Sequence, residues 1–164
     1  GENIDTLVSA RQLGKSVSFP RPSYDGRYLM FTLSDYGNFS IWHKEADLWM
    51  YDLKKQTFYP IDEVNSVDTE SFHNWSSNSH WFVFSSRRDN GLYTYLYIAG
   101  VDADGKVTKP FMLPQKRPFE YYDGLVYSFN VPDFVRQPVD INHMEVREKL
   151  VKPERVKLNV RKSR

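Results

Sequence analysis

The chain has 164 residues, 40% of them hydrophobic and 16% aromatic, with a formal net charge of +1. That is enough apolar material for a packed core of about one ordinary domain, and it excludes disorder throughout. The absence of cysteine excludes disulfides, thiolate nucleophiles and cysteine-ligated metals, while leaving the redox compartment open.

The aromatic residues, 11 Tyr, 11 Phe and 4 Trp, together with many β-branched residues and turn formers, favour strands over long amphipathic helices. No stretch approaches the roughly 18 consecutive apolar residues of a membrane span. The start lacks the basic-then-apolar pattern of a signal peptide, and Gly1 is expected to be an expression remnant.

In chain order, Thr6–Ala10 is expected to be a short strand and Lys15–Phe19 a second, held at an edge by Pro20 and Pro22. Tyr24-Asp25-Gly26-Arg27 is a turn that places Gly26 where φ is positive. A strand over Tyr28–Thr32 follows, then a loop from Ser34 to Glu45. The strand Ala46–Leu53 puts Leu48, Met50 and Asp52 on one face and Trp49, Tyr51 and Leu53 on the other. Lys54–Thr57 is a hairpin turn into Phe58–Ile61.

The order then recurs. Asn74–Ser79 is a turn, Trp81–Ser85 a strand, Arg87–Gly91 a shorter loop and Tyr93–Val101 a strand. Asp102–Lys106 is a hairpin turn before Val107 and a strand over Lys109–Leu113. Ser23-Tyr24-Asp25-Gly26-Arg27-Tyr28-Leu29-Met30-Phe31 is echoed 53 positions later by Ser76-Ser77-Asn78-Ser79-His80-Trp81-Phe82-Val83-Phe84. Self-similarity at a period of tens of residues marks stacked or circular repeat architectures. After Pro114 the pattern changes: Pro118–Phe129 places Tyr122, Val126 and Phe129 on one helical face with Pro118 in the first turn. Val131–Val135 is expected to dock as an irregular apolar strap. The last 21 residues, 144–164, carry eight Lys/Arg against three Glu; they form a basic tail, expected to be solvated, in which Val156, Leu158 and Val160 alternate as a strand would.

Pro22-Ser23-Tyr24-Asp25-Gly26-Arg27 followed by Tyr28–Phe31 resembles the signature of the TolB-like, WD-repeat-like β-propeller family, Ser-Pro-Asp-Gly-Lys before an aliphatic strand. Ala46–Leu53 is similar to that family's next strand. The second copy departs from the signature, with Asn78-Ser79 in place of Asp-Gly. The resemblance covers residues 15–114. It implies an all-β chain of about two antiparallel blades, assigned to 1–114; beyond it the residues themselves give a helix and strap expected to pack on the blades over 115–143 and the basic tail over 144–164. It also implies a non-catalytic protein-interaction module of the periplasm or exported cell envelope, like the C-terminal part of exported propeller proteins common in Bacteroidetes. A propeller needs about four to eight blades of four strands, at roughly 40 to 45 residues each. Two repeats cannot close such a ring. The chain is therefore expected to be part of a longer propeller or to assemble through its open blade edges, a dimer ahead of a trimer.

The residues give little support for catalysis. His43-Lys44-Glu45 is a His-x-Glu without the cysteines of a zinc deaminase. His43, His73, His80 and His143 lack metal-ligand spacing, and no cofactor is expected. Asp102-Ala103-Asp104-Gly105 brings its glycine too early for a calcium loop and is expected to be a turn. No Gly-x-Ser-x-Gly elbow or phosphate-cradling loop occurs. An overall charge near zero argues against nucleic acid.

The best binding candidates are the loops that interrupt the two repeats, since loops on a rigid scaffold commonly carry recognition. Ile41-Trp42-His43-Lys44-Glu45 and Ser85-Ser86-Arg87-Arg88-Asp89-Asn90 occupy equivalent places. Trp42 with Arg87 or Arg88 are hot-spot residue types for a protein partner, and His43 and Asp89 supply directional hydrogen bonds. In the competing arrangement Trp42 packs between blades and an arginine pairs with Asp89. The alternative function is the propeller portion of an envelope enzyme, either the accessory propeller of a serine peptidase or a sugar lyase.

Overall fold

Eight strands make two four-stranded antiparallel sheets in the computed structural model, which describes residues 4–153. The first sheet runs in the order β1 (Ser16–Pro22), β2 (Tyr28–Ser34), β3 (Asp47–Asp52), β4 (Thr57–Pro60). The second runs β5 (Glu70–Trp75), β6 (Trp81–Ser86), β7 (Tyr95–Gly100), β8 (Phe111–Met112). Each is a meander of sequential neighbours, the form of a propeller blade. The fold is all-β with short helices, as expected.

The turn between the first two strands of each sheet is built twice from the same bonds. Ser23 Oγ accepts from Tyr28 N at 2.9 Å, and Asp25 Oδ1 accepts from Arg27 N at 3.1 Å. In the second copy Ser76 Oγ accepts from Trp81 N at 3.1 Å, and Asn78 Oδ1 from His80 N at 3.0 Å. Gly26 has φ +71° and its counterpart Ser79 φ +60°, so the departure from Asp-Gly to Asn-Ser leaves the turn geometry unchanged. The short polar side chains supply the local bonds that hold such turns.

The first strands also match. The ladder slips between Ser18 and Arg21 in β1 and between Ser71 and Asn74 in β5, a bulge that leaves Phe19 at φ +53° and Phe72 at φ +48°. β5 was not anticipated from the sequence, because its inward positions include Glu70, Ser71 and His73, all buried, where an apolar alternation would be sought.

The core lies between the sheets. Tyr28, Met30, Leu48 and Met50 on one face of the first meet Trp75, Phe82, Phe84, Tyr95, Tyr97 and Ala99 of the second. Each large apolar side chain buried there contributes about 1.5–3 kcal/mol. Phe31, Leu33 and Tyr51 make a smaller cluster on the opposite face of the first sheet, packed by Val8, Leu13 and Val17. Polar bonds fix the two sheets to one another: Trp75 Nε1 donates to Arg21 O at 3.0 Å, Asp25 N to Ser79 Oγ at 3.0 Å, and His73 Nε2 lies 3.1 Å from Met30 O.

Other expectations are corrected. Thr6–Ala10 is not a strand: the chain is irregular up to Ser9, and a short helix, α1 (Ala10–Leu13), follows, closed by Gly14 at φ +63°. The helix expected over Pro118–Phe129 is shorter, α2 (Pro118–Asp123), with Pro118 in its first turn and Gly124 at its end. Beyond it Leu125 and Phe129 pack on the core, but the expected strap of Val131–Val135 is mostly exposed, with only Pro132 buried.

That segment instead copies the opening of a sheet. Glu70, at the head of β5, donates its N–H to Ala46 O at 2.8 Å, and Phe129 donates to Thr94 O at 2.9 Å. Ala46 and Thr94 are the residues just before β3 and β7. Two positions after Glu70 stands Phe72, and two after Phe129 stands Val131, at φ +52°. Ser85 Oγ completes the attachment by donating to Phe129 O at 3.0 Å.

The described residues divide into two units, the second beginning at Val135. The second holds α3 (His143–Val151), capped by Asn142, whose Oδ1 accepts from Met144 N at 3.0 Å and whose Nδ2 donates to Glu145 Oε1 at 3.2 Å. The alternation at Val156, Leu158 and Val160 lies outside the described residues. Among those described, no helix is long and apolar enough to cross a membrane.

Candidate functional site

The loops between β2 and β3 and between β6 and β7 lie side by side, and Arg87 joins them. Its Nη1 donates to Ile41 O at 3.4 Å, its guanidinium carbon sits 5.1 Å from the centre of the Trp42 ring, and its Nε lies 3.7 Å from Asp68 Oδ1. Nη2 donates back to Gly91 O across the tight turn of its own loop. Gly91 holds φ +66° there, a conformation that costs glycine little. Arg87 is buried at 9% exposure while Trp42 above it is 64% exposed. An exposed indole packed on a buried cation suits a binding hot spot. Trp42 therefore does not pack between the sheets.

The loop carrying Trp42 is shaped by a single 3-10 turn, Ser40–Trp42, entered through Phe39 at φ +53°. Ser40 Oγ bonds with Ser71 Oγ at 3.0 Å, and Thr69 Oγ1 donates to Ser40 O at 3.1 Å, tying the loop to β5. His43 stays with Trp42: its Nε2 lies 3.0 Å from Asn38 O, its Nδ1 3.6 Å from Glu45 Oε1, and its ring 5.9 Å from that of Tyr36. Tyr36, Phe39 and Trp42 are all exposed, so the loop displays three aromatic side chains.

The other candidates separate. Arg88 turns inward and does not pair with Asp89; it donates to Glu70 Oε1 at 3.0 Å, Val64 O at 2.6 Å and Ser86 Oγ at 2.9 Å, lying 4.5 Å from the Tyr97 ring centre. Glu70 is fully buried and also accepts from Ser66 Oγ and Ser86 Oγ, both at 2.7 Å. Burial raises its pKa against the pull of those hydroxyls and of Arg88. This Glu70–Arg88 centre, invisible to sequence spacing, anchors the head of β5 beneath the loops. Asp89 faces elsewhere, accepting from the Tyr97 hydroxyl; burial and then this carboxylate push the Tyr97 pKa up.

Asp47, at the base of the Trp42 loop, has its pKa raised to about 6, by burial first and then by Glu70. His73 is held neutral, its pKa lowered to about 4 by burial. Among the described residues no group of three His, Asp or Glu could hold a metal ion. The turn at Asp102 closes on itself, with Asp102 Oδ1 accepting from Asp104 N and Lys106 N, both at 2.9 Å.

No family model matches the chain, and no curated protein matches it. Solved structures do. TolB from Acinetobacter baumannii matches 55% of this chain at 21% identity and a TM-score of 0.36. The acylaminoacyl peptidase of Pyrococcus horikoshii matches 61% at 18% identity and a TM-score of 0.36, and a prolyl endopeptidase 69% at 13% identity and a TM-score of 0.33. The chain spans only 18 to 23% of the length of these three.

Proposed function

We propose that this chain is a stretch of a larger β-propeller that serves as a non-catalytic scaffold of the cell envelope, in the periplasm or exported, and binds a protein or envelope component through its loops. The observation that carries the reading is the repeated opening of a sheet at Phe129, which shares its N–H bond and its left-handed residue two positions on with β5. Two blade-like sheets, followed by a third occurrence of the bond that opens the second, fit a larger ring of blades. The binding role rests on Trp42 and His43, displayed over the buried Arg87, with Arg88 and Asp89 acting in the scaffold and beside it.

The full reading frame tests this. Further blades with no hydrolase domain are expected. A downstream domain carrying a Gly-x-Ser-x-Gly nucleophile would make the chain an accessory propeller of a peptidase, and a ring of metal-binding histidines in other blades would make it a lyase; either result overturns the scaffold. For partner binding, the intact protein and its Trp42→Ala variant are compared for binding to isolated envelope fractions. Equal binding by both excludes the Trp42 loop as the recognition surface.

A further inference from the structure

A cavity of about 620 Å³ opens at the end of the second sheet, between the β6–β7 loop and α2. Its walls include Tyr93, Phe119 and Tyr122, with Leu92 among the apolar groups and two carboxylates, Asp89 and Asp123. No basic residue lines it. The two cations adjacent in sequence to lining residues are engaged elsewhere, Arg88 with Glu70 and Val64 O and Arg117 with Glu120. Asp89 uses Oδ2 to accept from the Tyr97 hydroxyl, which fixes the carboxylate's position and leaves Oδ1 for a ligand. Asp123 is exposed, with no ion pair among the described residues.

We propose that this cavity takes a basic side chain, arginine or lysine, carried on a short exposed segment of a partner protein. Three features select that occupant. Two carboxylates and no basic residue in the lining give the cavity a negative field that a positive group complements. Aromatic walls add cation–π attraction for the charged head and apolar surface for the aliphatic stem. The volume falls in the range of ligand pockets, about 300–1,000 Å³, large enough for a side chain with flanking backbone and far larger than a bare ion needs. Asp89 and Asp123 do not form a metal-holding group with a third acid or histidine among the described residues. The cavity shares the β6–β7 loop with Arg87 but not the Trp42 side chain, so the peptide titration and the Trp42→Ala comparison can fail separately.

The experiment is calorimetric titration of the intact protein with acetyl-Leu-Arg-Leu-amide and with the same peptide carrying citrulline, the neutral isostere of arginine. The arginine peptide should bind at least about ten-fold more tightly, weaken as salt is raised, and lose about five-fold on Asp123→Asn and again on Phe119→Ser. Both positions are exposed, so the thermal midpoint of either variant should stay that of the parent. Equal affinity for the two peptides, no binding of either at millimolar concentration, or unchanged affinity in both variants overturns the proposal. Arginine amide alone binding as tightly as the peptide also overturns it, since the cavity would then be a small-molecule site.

Discussion

Phe19 and Phe72, 53 positions apart, hold the same left-handed backbone conformation, φ +53° and +48°, and their rings meet at 4.9 Å. Each is the extra residue of a bulge in the first strand of its sheet, and a bulge strengthens local twist and re-aims side chains. The conformation costs a non-glycine residue on the order of 1–2 kcal/mol, offset here by a ring pair worth about 0.5–1.5 kcal/mol beyond its burial. Phe72→Ala keeps the strain and loses the ring, so it should destabilise by about 2 kcal/mol. Phe72→Gly loses the ring but relieves the strain, and should cost about 1 kcal/mol less. Urea unfolding of the two variants checks the order; glycine proving the worse substitution would show that the bulge stores no strain.

Asp47 supplies a pH dependence with a defined sign. Its folded pKa, about 6, stands above the ordinary carboxylate value because burial and Glu70 disfavour the charge. A raised folded pKa means its contribution to stability is fully present below the unfolded value of about 4 and is lost as pH rises through 6. Asp47→Asn should therefore match the parent near pH 4 and exceed it at pH 7, by on the order of 1 kcal/mol once solvent screening is allowed for. Thermal unfolding at the two pH values measures the difference; a variant less stable than the parent at pH 7 would contradict the assignment.

Trp42 and Arg87 touch, yet their removal should have unequal effects. Trp42 is mostly solvent-facing, so Trp42→Ala should change stability by about 0.5 kcal/mol or less. Arg87→Ala leaves Asp68 buried without its cation and frees Ile41 O and Gly91 O, and should cost about 3 kcal/mol. Chemical denaturation of both variants separates a displayed residue from a structural one.

Phe129 should behave as part of a sheet. Its amide donates to Thr94 O and its carbonyl accepts from Ser85 and Thr94 hydroxyls, so hydrogen exchange there should be slowed as in β5, unlike a surface strap. Phe129→Ala should cost about 2 kcal/mol through lost burial. An amide exchanging at the rate of an open loop would show that Phe129 does not repeat the attachment of Glu70.

Much of the fold was legible because its signals are local. Ser23, Asp25 and Gly26 bond within five residues of one another, and so do Ser76, Asn78 and Ser79, so the turn and its echo could be read directly. α3 carries a local signal of the same kind: Asn142 with Glu145 three residues on is a helix-start signature. β5 escaped because Glu70 and His73 are buried through partners, Arg88 and Met30, that lie 18 and 43 positions away.

The sequence by itself determined the repeated turn, the strand alternation and hence two sheets of blade form, because those depend on side chains that satisfy their own neighbouring backbone. Tertiary structure alone decided which candidate residues act together. It turned Arg88 inward to Glu70, set Arg87 beneath Trp42, aimed Asp89 at Tyr97 and a cavity, and tied Phe129 to the backbone at Thr94 as Glu70 is tied at Ala46. Adjacent residues in an extended or turning chain point in different directions, so Arg87, Arg88 and Asp89, consecutive in sequence, end in three environments that only the packing of distant strands could define.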